Sequence, residues 1–171
     1  MIEPQANIIL IGMAGSGKSS IGRLLAETMS RHFIDTDNLI EETAGGSLQE
    51  ILEAKGLSGF RLLEENILLS LNPANHVIAT GGSSVYSQRG MLHLKKNGVV
   101  IFLDVKLSLL RTRIRNFSNR GLVKHPKQSF GELYSERMPL YRKYADYIFN
   151  CGKMSEEEIC TGLVSLLRDK L

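Results

Sequence analysis

Gly12-Met13-Ala14-Gly15-Ser16-Gly17-Lys18-Ser19 has the spacing G-x-x-x-x-G-K-[ST] at every fixed position. Glycines let a backbone approach an anion closely and adopt conformations closed to other residues. Successive N–H groups followed by a helix N-terminus then point at one place, an arrangement suited to phosphate. In such a loop the lysine reaches the β- and γ-phosphates and the serine hydroxyl ligates Mg²⁺. The expected ligands are therefore ATP and Mg²⁺. The expected nucleotide contacts are Gly12, Ala14, Gly15, Ser16, Gly17, Lys18, Ser19 and Ser20, with Ser19 also a metal ligand. The bland alternative is a glycine-rich turn that merely starts a helix. With average residue usage, a chance match in a chain of this length is roughly one in a few hundred.

A phosphate loop of this kind also calls for a carboxylate on the metal, commonly at the end of a neighbouring strand. The apolar run His76–Thr80 ends in Gly81-Gly82 and offers no acid. Asp35-Thr36-Asp37, which ends an earlier run, offers two. One of them can hold a magnesium-bound water while the other faces an acceptor hydroxyl. Thr36 or Asp37 can also cap a helix starting near Asn38. Asp104 is the rival metal carboxylate, and more readily the N-cap of a helix from Leu107. No Asn-Lys-x-Asp guanine reader is present, which argues against a GTPase, and a motor or transporter ATPase would need far more chain.

The elements that must position these groups follow from periodicity. Short apolar runs occur at Asn7–Ile11, His32–Asp35, His76–Thr80, Val99–Leu103 and Tyr147–Asn150. Helical patterns lie between them, including Ser19–Met29, Ser47–Ala54, Ser58–Leu71, Leu107–Arg115, Phe130–Tyr144 and Ser155–Leu166. Alternating strands and helices predict an α/β fold: a three-layer P-loop domain with a five-stranded parallel sheet covered on both faces. At 171 residues with 43% hydrophobic content, the chain is expected to form a single domain, 1–171. Residues 116–128 show no period and carry Gly, Pro, Ser, Asn and several bases, so they are expected to form a lid.

Charge is unevenly spread. From Arg111 to Lys143 there are nine Lys or Arg against Glu132 and Glu136, while the whole chain is only +3. A polyanionic nucleotide accounts for this better than a nucleic acid, because no Trp and no aromatic–basic interleaving accompanies the bases. Cys151 and Cys160 form no Cys-x-x-Cys, and the four histidines lack metal-ligand spacing. The N-terminus lacks a signal pattern, and the apolar runs fall short of the ~20 residues of a membrane span. A cytoplasmic protein is expected, a monomer without membrane or nucleic-acid partners, acting on a small molecule.

Beyond the phosphate loop, the chain carries Phe33-Ile34-Asp35-Thr36-Asp37, Phe60-Arg61-x-x-Glu64, Gly81-Gly82, Asn119-Arg120-Gly121-Leu122 and Arg137-Met138-Pro139-Leu140-Tyr141. In this order and spacing they resemble the shikimate kinase family over nearly the whole length. The resemblance implies transfer of the ATP γ-phosphoryl group to a hydroxyl of a small hydroxylated carboxylate, shikimate above all. It implies Asp35 on the magnesium side and Asp37 at the acceptor hydroxyls, as a possible base. Arg61, Arg137 and the Gly82 N–H would hold the acceptor, in a region of about 37–63. Arg120 would meet the transferring phosphate, and Arg113 would pack on adenine. Lys18, Asp37 and Arg120 form the expected catalytic set. The chain departs from the family pattern at Leu57, where a Glu follows the glycine, at Ser83, the third glycine of a triplet, and at Gly121, a proline. Gly121 should loosen the lid. Leu57 and Ser83 bear on acceptor choice. The alternatives are a kinase of the same fold for another small polyol, and a non-catalytic ATP-binding module.

Overall fold

The computed structural model describes residues 5–114 and 122–168. Five strands, β1 (Asn7–Ile11), β2 (His32–Asp35), β3 (His76–Ala79), β4 (Gly98–Asp104) and β5 (Tyr147–Asn150), form one parallel sheet in the order β2-β3-β1-β4-β5. The helices are α1 (Lys18–Thr28), α2 (Thr36–Ala44), α3 (Leu48–Ser70), α4 (Gln88–Lys96), α5 (Leu107–Ile114), α6 (Phe130–Tyr144) and α7 (Glu156–Arg168). The expected α/β fold is therefore observed.

A parallel sheet is covered on both faces, so its central strands must be apolar throughout. All five residues of β1 are buried, as is Val99–Leu103 of β4. The edge strands β2 and β5 are only partly buried. Ile9 pairs with Ile78 on one side and Val100 on the other. β1 thus lies at the centre, with β3 and β2 to one side and β4 and β5 to the other, and the strand order reverses there. At such a switch point a crevice opens beyond the carboxyl ends of the strands, and the glycine loop emerges there.

Local sequence explains how the flanking helices aim their residues. Ser129 and Glu132 form a capping box that starts α6 where the pattern predicts it. On α6 the Tyr141 ring stacks on Phe102 of β4 at 5.1 Å. Arg137 lies one turn earlier on the same face, which carries it to the end of β3.

Three details differ from expectation. The predicted helices Ser47–Ala54 and Ser58–Leu71 run together as α3, kinked at Gly56, whose φ 65° and ψ 177° are non-helical. α2 begins at Thr36 directly off β2, so its cap is neither Thr36 nor Asp37. Asp35 serves, its carboxylate accepting the Asp37 N–H at 3.0 Å. Asp104 does not cap α5. The Lys106 carbonyl accepts the Leu110 N–H at 3.1 Å, and the Asp104 carboxylate faces Arg142 at 3.9 Å.

Besides the main core, Ile40, Ile51, Phe60 and Val123 form a second, smaller one, with Leu57 packed against it. Leu57 therefore contributes apolar contact to this cluster. Among the described residues no helix is long and apolar enough to cross a membrane.

Candidate active site

A cavity of about 960 Å³ opens at the switch point. One wall is the glycine loop. Gly12, Gly15 and Gly17 have φ of 151°, 82° and 93°. A Cβ on Gly12 would also lie 3.0 Å from the Leu103 carbonyl and the Ser16 hydroxyl. Gly17 is the N-cap of α1 and supplies no side-chain acceptor, unlike the caps of α2, α3, α4 and α6. The first N–H groups of α1 are left without such a partner, which suits an anion. The Lys18 ammonium donates to the Gly12 and Met13 carbonyls at 2.8 and 2.9 Å. It is only 8% exposed, and burial pulls its pKa down to about 8 although Asp37 and Asp35 act in the opposite direction.

Beside the loop, the Ser19 hydroxyl donates to Asp35 Oδ2 at 2.6 Å. Among the described residues no group of three or more His, Cys, Asp or Glu could hold a metal. A hydroxyl and one carboxylate suit Mg²⁺, which takes few protein ligands and completes its shell with water and phosphate oxygens. Toward the nucleotide end, Arg113 donates to the Gly15 carbonyl at 3.1 Å. The Ser20 hydroxyl donates to Glu156 Oε1 at 2.5 Å. Ala14 and Ser16 also line the cavity.

At the other end the backbone N–H of Gly81 donates to the Thr36 hydroxyl at 3.0 Å, joining the ends of β2 and β3. A Cβ on Gly81 would lie 2.6 Å from both Asp37 Oδ1 and Glu64 Oε1, and one on Gly82 2.9 Å from Arg137 Nη1. Asp37, Gly82 and Arg137 are thus brought together. Arg137 is 1% exposed, and its Nη2 donates to the Val123 carbonyl. Arg61 is not on the cavity wall. Its guanidinium sits 3.8 Å from the centre of the Tyr86 ring, and its buried Nε has no partner. The Arg137 guanidinium is 5.4 Å from the same ring, so Tyr86 links the two arginines. Glu64, the obvious i+3 mate for Arg61, instead accepts the Ser83 hydroxyl at 2.5 Å. Arg120 and residues 116–121 of the expected lid lie outside the described residues.

Sequence reasoning did not single out Tyr86, or Glu64 as a carboxylate facing Gly81. Tyr86 belongs to a three-residue turn, Ser84–Tyr86, too short to leave a periodic signal. Glu64 had a signal, since a carboxylate on the buried face of α3 demands a partner.

A parallel sheet of this order, with a glycine loop at its switch point feeding α1, defines a P-loop kinase fold. Solved structures similar to it include shikimate kinase from Acinetobacter baumannii in complex with shikimate. That structure has TM-score 0.90 and 31% identity, and the match covers 97% of this chain and 94% of that one. Shikimate kinase from Aquifex aeolicus has TM-score 0.81 and 31% identity, covering 96% and 97%. The shikimate kinase family model matches residues 14–168. A shikimate kinase of a Sulfurihydrogenibium species is 37% identical over 163 residues, 95% of this chain and 98% of its own. This chain belongs to the shikimate kinase family.

Proposed function

We propose that this protein is an ATP-dependent kinase that transfers the γ-phosphoryl group to a hydroxyl of shikimate, giving shikimate 3-phosphate. The observation that carries this reading is one cavity with a phosphate loop and Arg113 at one end, and Asp37, Gly82 and Arg137 at the other. Family membership supports ATP as the donor, and the shikimate bound to the Acinetobacter baumannii relative supports the acceptor.

In this reading the loop N–H groups and α1 cradle the phosphates, and Lys18 exchanges loop carbonyls for phosphate oxygens. Ser19 and Asp35 would hold Mg²⁺, which when bound would supply positive charge against the phosphates. Asp37 orients the acceptor hydroxyl and accepts its proton. Arg137 holds the acceptor carboxylate with the Gly82 N–H, Arg61 joins it by turning from the Tyr86 ring toward the bound acceptor, and Arg120 reaches the transferring phosphate from the lid. Arg113 packs on the adenine. Catalysis of this kind is chiefly positioning and charge stabilisation. The corresponding protein is a single-domain cytoplasmic monomer without nucleic-acid or membrane partners.

The test is a coupled ADP-release assay with ATP, Mg²⁺ and shikimate, with Lys18→Ala as control. Turnover by the wild type and none by a folded Lys18→Ala protein is expected. Normal turnover by Lys18→Ala would refute the loop's role. Turnover on a different polyol alone would move the substrate, and ATP binding without turnover on any hydroxy acid would favour a non-catalytic module.

A further inference from the structure

Of the acceptor residues assigned above, Asp37, Gly82 and Arg137 line the cavity and Arg61 does not. What holds it away is the ring of Tyr86, whose centre lies 3.8 Å from the guanidinium. No carboxylate pairs with it. The described ion pairs are Arg89–Glu65, Lys95–Asp146 and Arg142–Asp104, while Glu64 and Glu136 feel Arg61 only at longer range. Its buried Nε has no hydrogen-bond partner. The ring therefore carries the charge of Arg61 and leaves that donor unused, although an unmade bond at a buried donor is costly.

The ring itself is fixed from α6. The Tyr86 hydroxyl donates to Glu136 Oε1 and accepts from Arg137 Nε at 3.5 Å. Glu136 Oε2 accepts from Gln128 Nε2 at 2.7 Å. Both oxygens of Glu136 are thus taken, and the Tyr86 hydroxyl holds its carboxyl below the usual carboxylate range. A phenol that swung out would leave a charged carboxylate short of a donor. The Arg137 guanidinium lies 5.4 Å from the same ring. Arg61 therefore rests one aromatic ring away from a residue of the cavity wall, and it is partly exposed, so its side chain has room to turn.

We propose that Tyr86 is a positioning residue that parks Arg61: its ring holds the guanidinium off the cavity until an acceptor carboxylate draws it away. A neutral ring suits this task. It grips an arginine far less than a buried carboxylate would, so the charge is kept ready without an ion pair that must be broken. The consequence is measurable, because the apparent affinity for the acceptor is reduced by the fraction of Arg61 that is parked. This rests on the acceptor site assigned under Proposed function.

Tyr86→Phe and Tyr86→Leu are compared by calorimetry with shikimate and with ATP, each alone and in an Arg61→Ala background. Phenylalanine keeps the ring and loses the hydroxyl; leucine loses both, so the difference between the two reports the ring. Tyr86→Leu should bind shikimate about fivefold more tightly than Tyr86→Phe, the size of one cation–π contact, with ATP affinities within about twofold. The difference should vanish in the Arg61→Ala background. It should also vanish for the methyl ester of shikimate, which has no charge to draw the guanidinium off. A ring that merely packs predicts the opposite sign, weaker binding in Tyr86→Leu, for acid and ester alike. Equal or weaker shikimate binding in folded Tyr86→Leu, or a difference that persists without Arg61, would overturn the proposal. Tyr86→Met gives the same reading where leucine yields too little folded protein. If the wild type phosphorylates no hydroxylated carboxylate, the functional reading falls and takes this one with it. If it does and the two variants bind shikimate equally, only this inference falls.

Discussion

The Tyr141 hydroxyl donates to the Gly82 carbonyl at 2.7 Å, tying α6 to the turn that follows β3. Burial pushes the phenol well above its ordinary range, so it remains a donor at all working pH. Tyr141→Phe leaves a carbonyl unpaired in a largely dry place, at a cost of about 1–3 kcal/mol. For a chain of this size each kcal/mol lowers Tm by about 2–4 °C. Because Gly82 borders the acceptor end, the shikimate KM should rise more than the ATP KM. Thermal melts and the two KM values check this.

Gly81→Ala should separate folding from activity. Its Cβ would press on the Asp37 and Glu64 carboxylates, both side-chain tips that can swing aside. The backbone there has no positive φ to forbid alanine. The variant should fold, melt within a few degrees of the parent (a shift of about 1 kcal/mol), and lose most turnover with shikimate. ATP affinity, measured by calorimetry, should be unchanged.

The two arginines should behave differently. Arg61 is partly exposed and stacks on Tyr86. Arg61→Ala should weaken shikimate binding by about 2–4 kcal/mol with little change in melting. Arg137 is buried among acids and carries the Val123 carbonyl. Arg137→Ala should lose acceptor binding and, in addition, about 3 kcal/mol or more of stability. Lysine at either site should rescue only in part, because it keeps the charge and loses the planar fork. Separate titrations with ATP and shikimate, alongside melts, distinguish the two patterns.

Glu64 sets a pH dependence of stability. Burial raises its folded pKa to about 7, above the ordinary value of 4.5. Between those values the folded state binds the extra proton, so stability falls as pH rises through the window. The loss amounts to about 3 kcal/mol above pH 7. Below the unfolded value both states are protonated and nothing is lost. Glu64→Gln should therefore melt higher than wild type at pH 8 and about equally at pH 4. A difference independent of pH would contradict this.

The phosphate loop, the strands β1, β2 and β5, and both ends of α6 could be read from sequence because each depends on local pattern: glycine spacing, an unbroken apolar run, a capping box. The acceptor end was less legible. The i+3 spacing of Arg61 and Glu64 suggests a pair, yet Arg61 turns to Tyr86 and Glu64 to Ser83, partners that the fold supplies from beyond β3. Asp35 takes the cap expected of Thr36 or Asp37 because β2 runs into α2 without a loop. The i,i+3 rule gives proximity along one helix, but it cannot weigh a neighbour from another element.

The kink at Gly56 is open to chemistry that ribosomes do not perform. Its φ of 65° and ψ of 177° are forbidden to L residues, yet no atom lies within 4 Å of a Cβ placed there. The obstacle is handedness alone. A D-alanine finds this region as comfortable as an L residue finds its mirror image. Introduced by chemical ligation of synthetic segments, it would narrow the unfolded ensemble and leave the native backbone dihedrals unstrained, an effect worth about 0.4–1 kcal/mol. L-alanine at the same position should lose stability, so the pair of diastereomers isolates backbone chirality from every other property of the side chain.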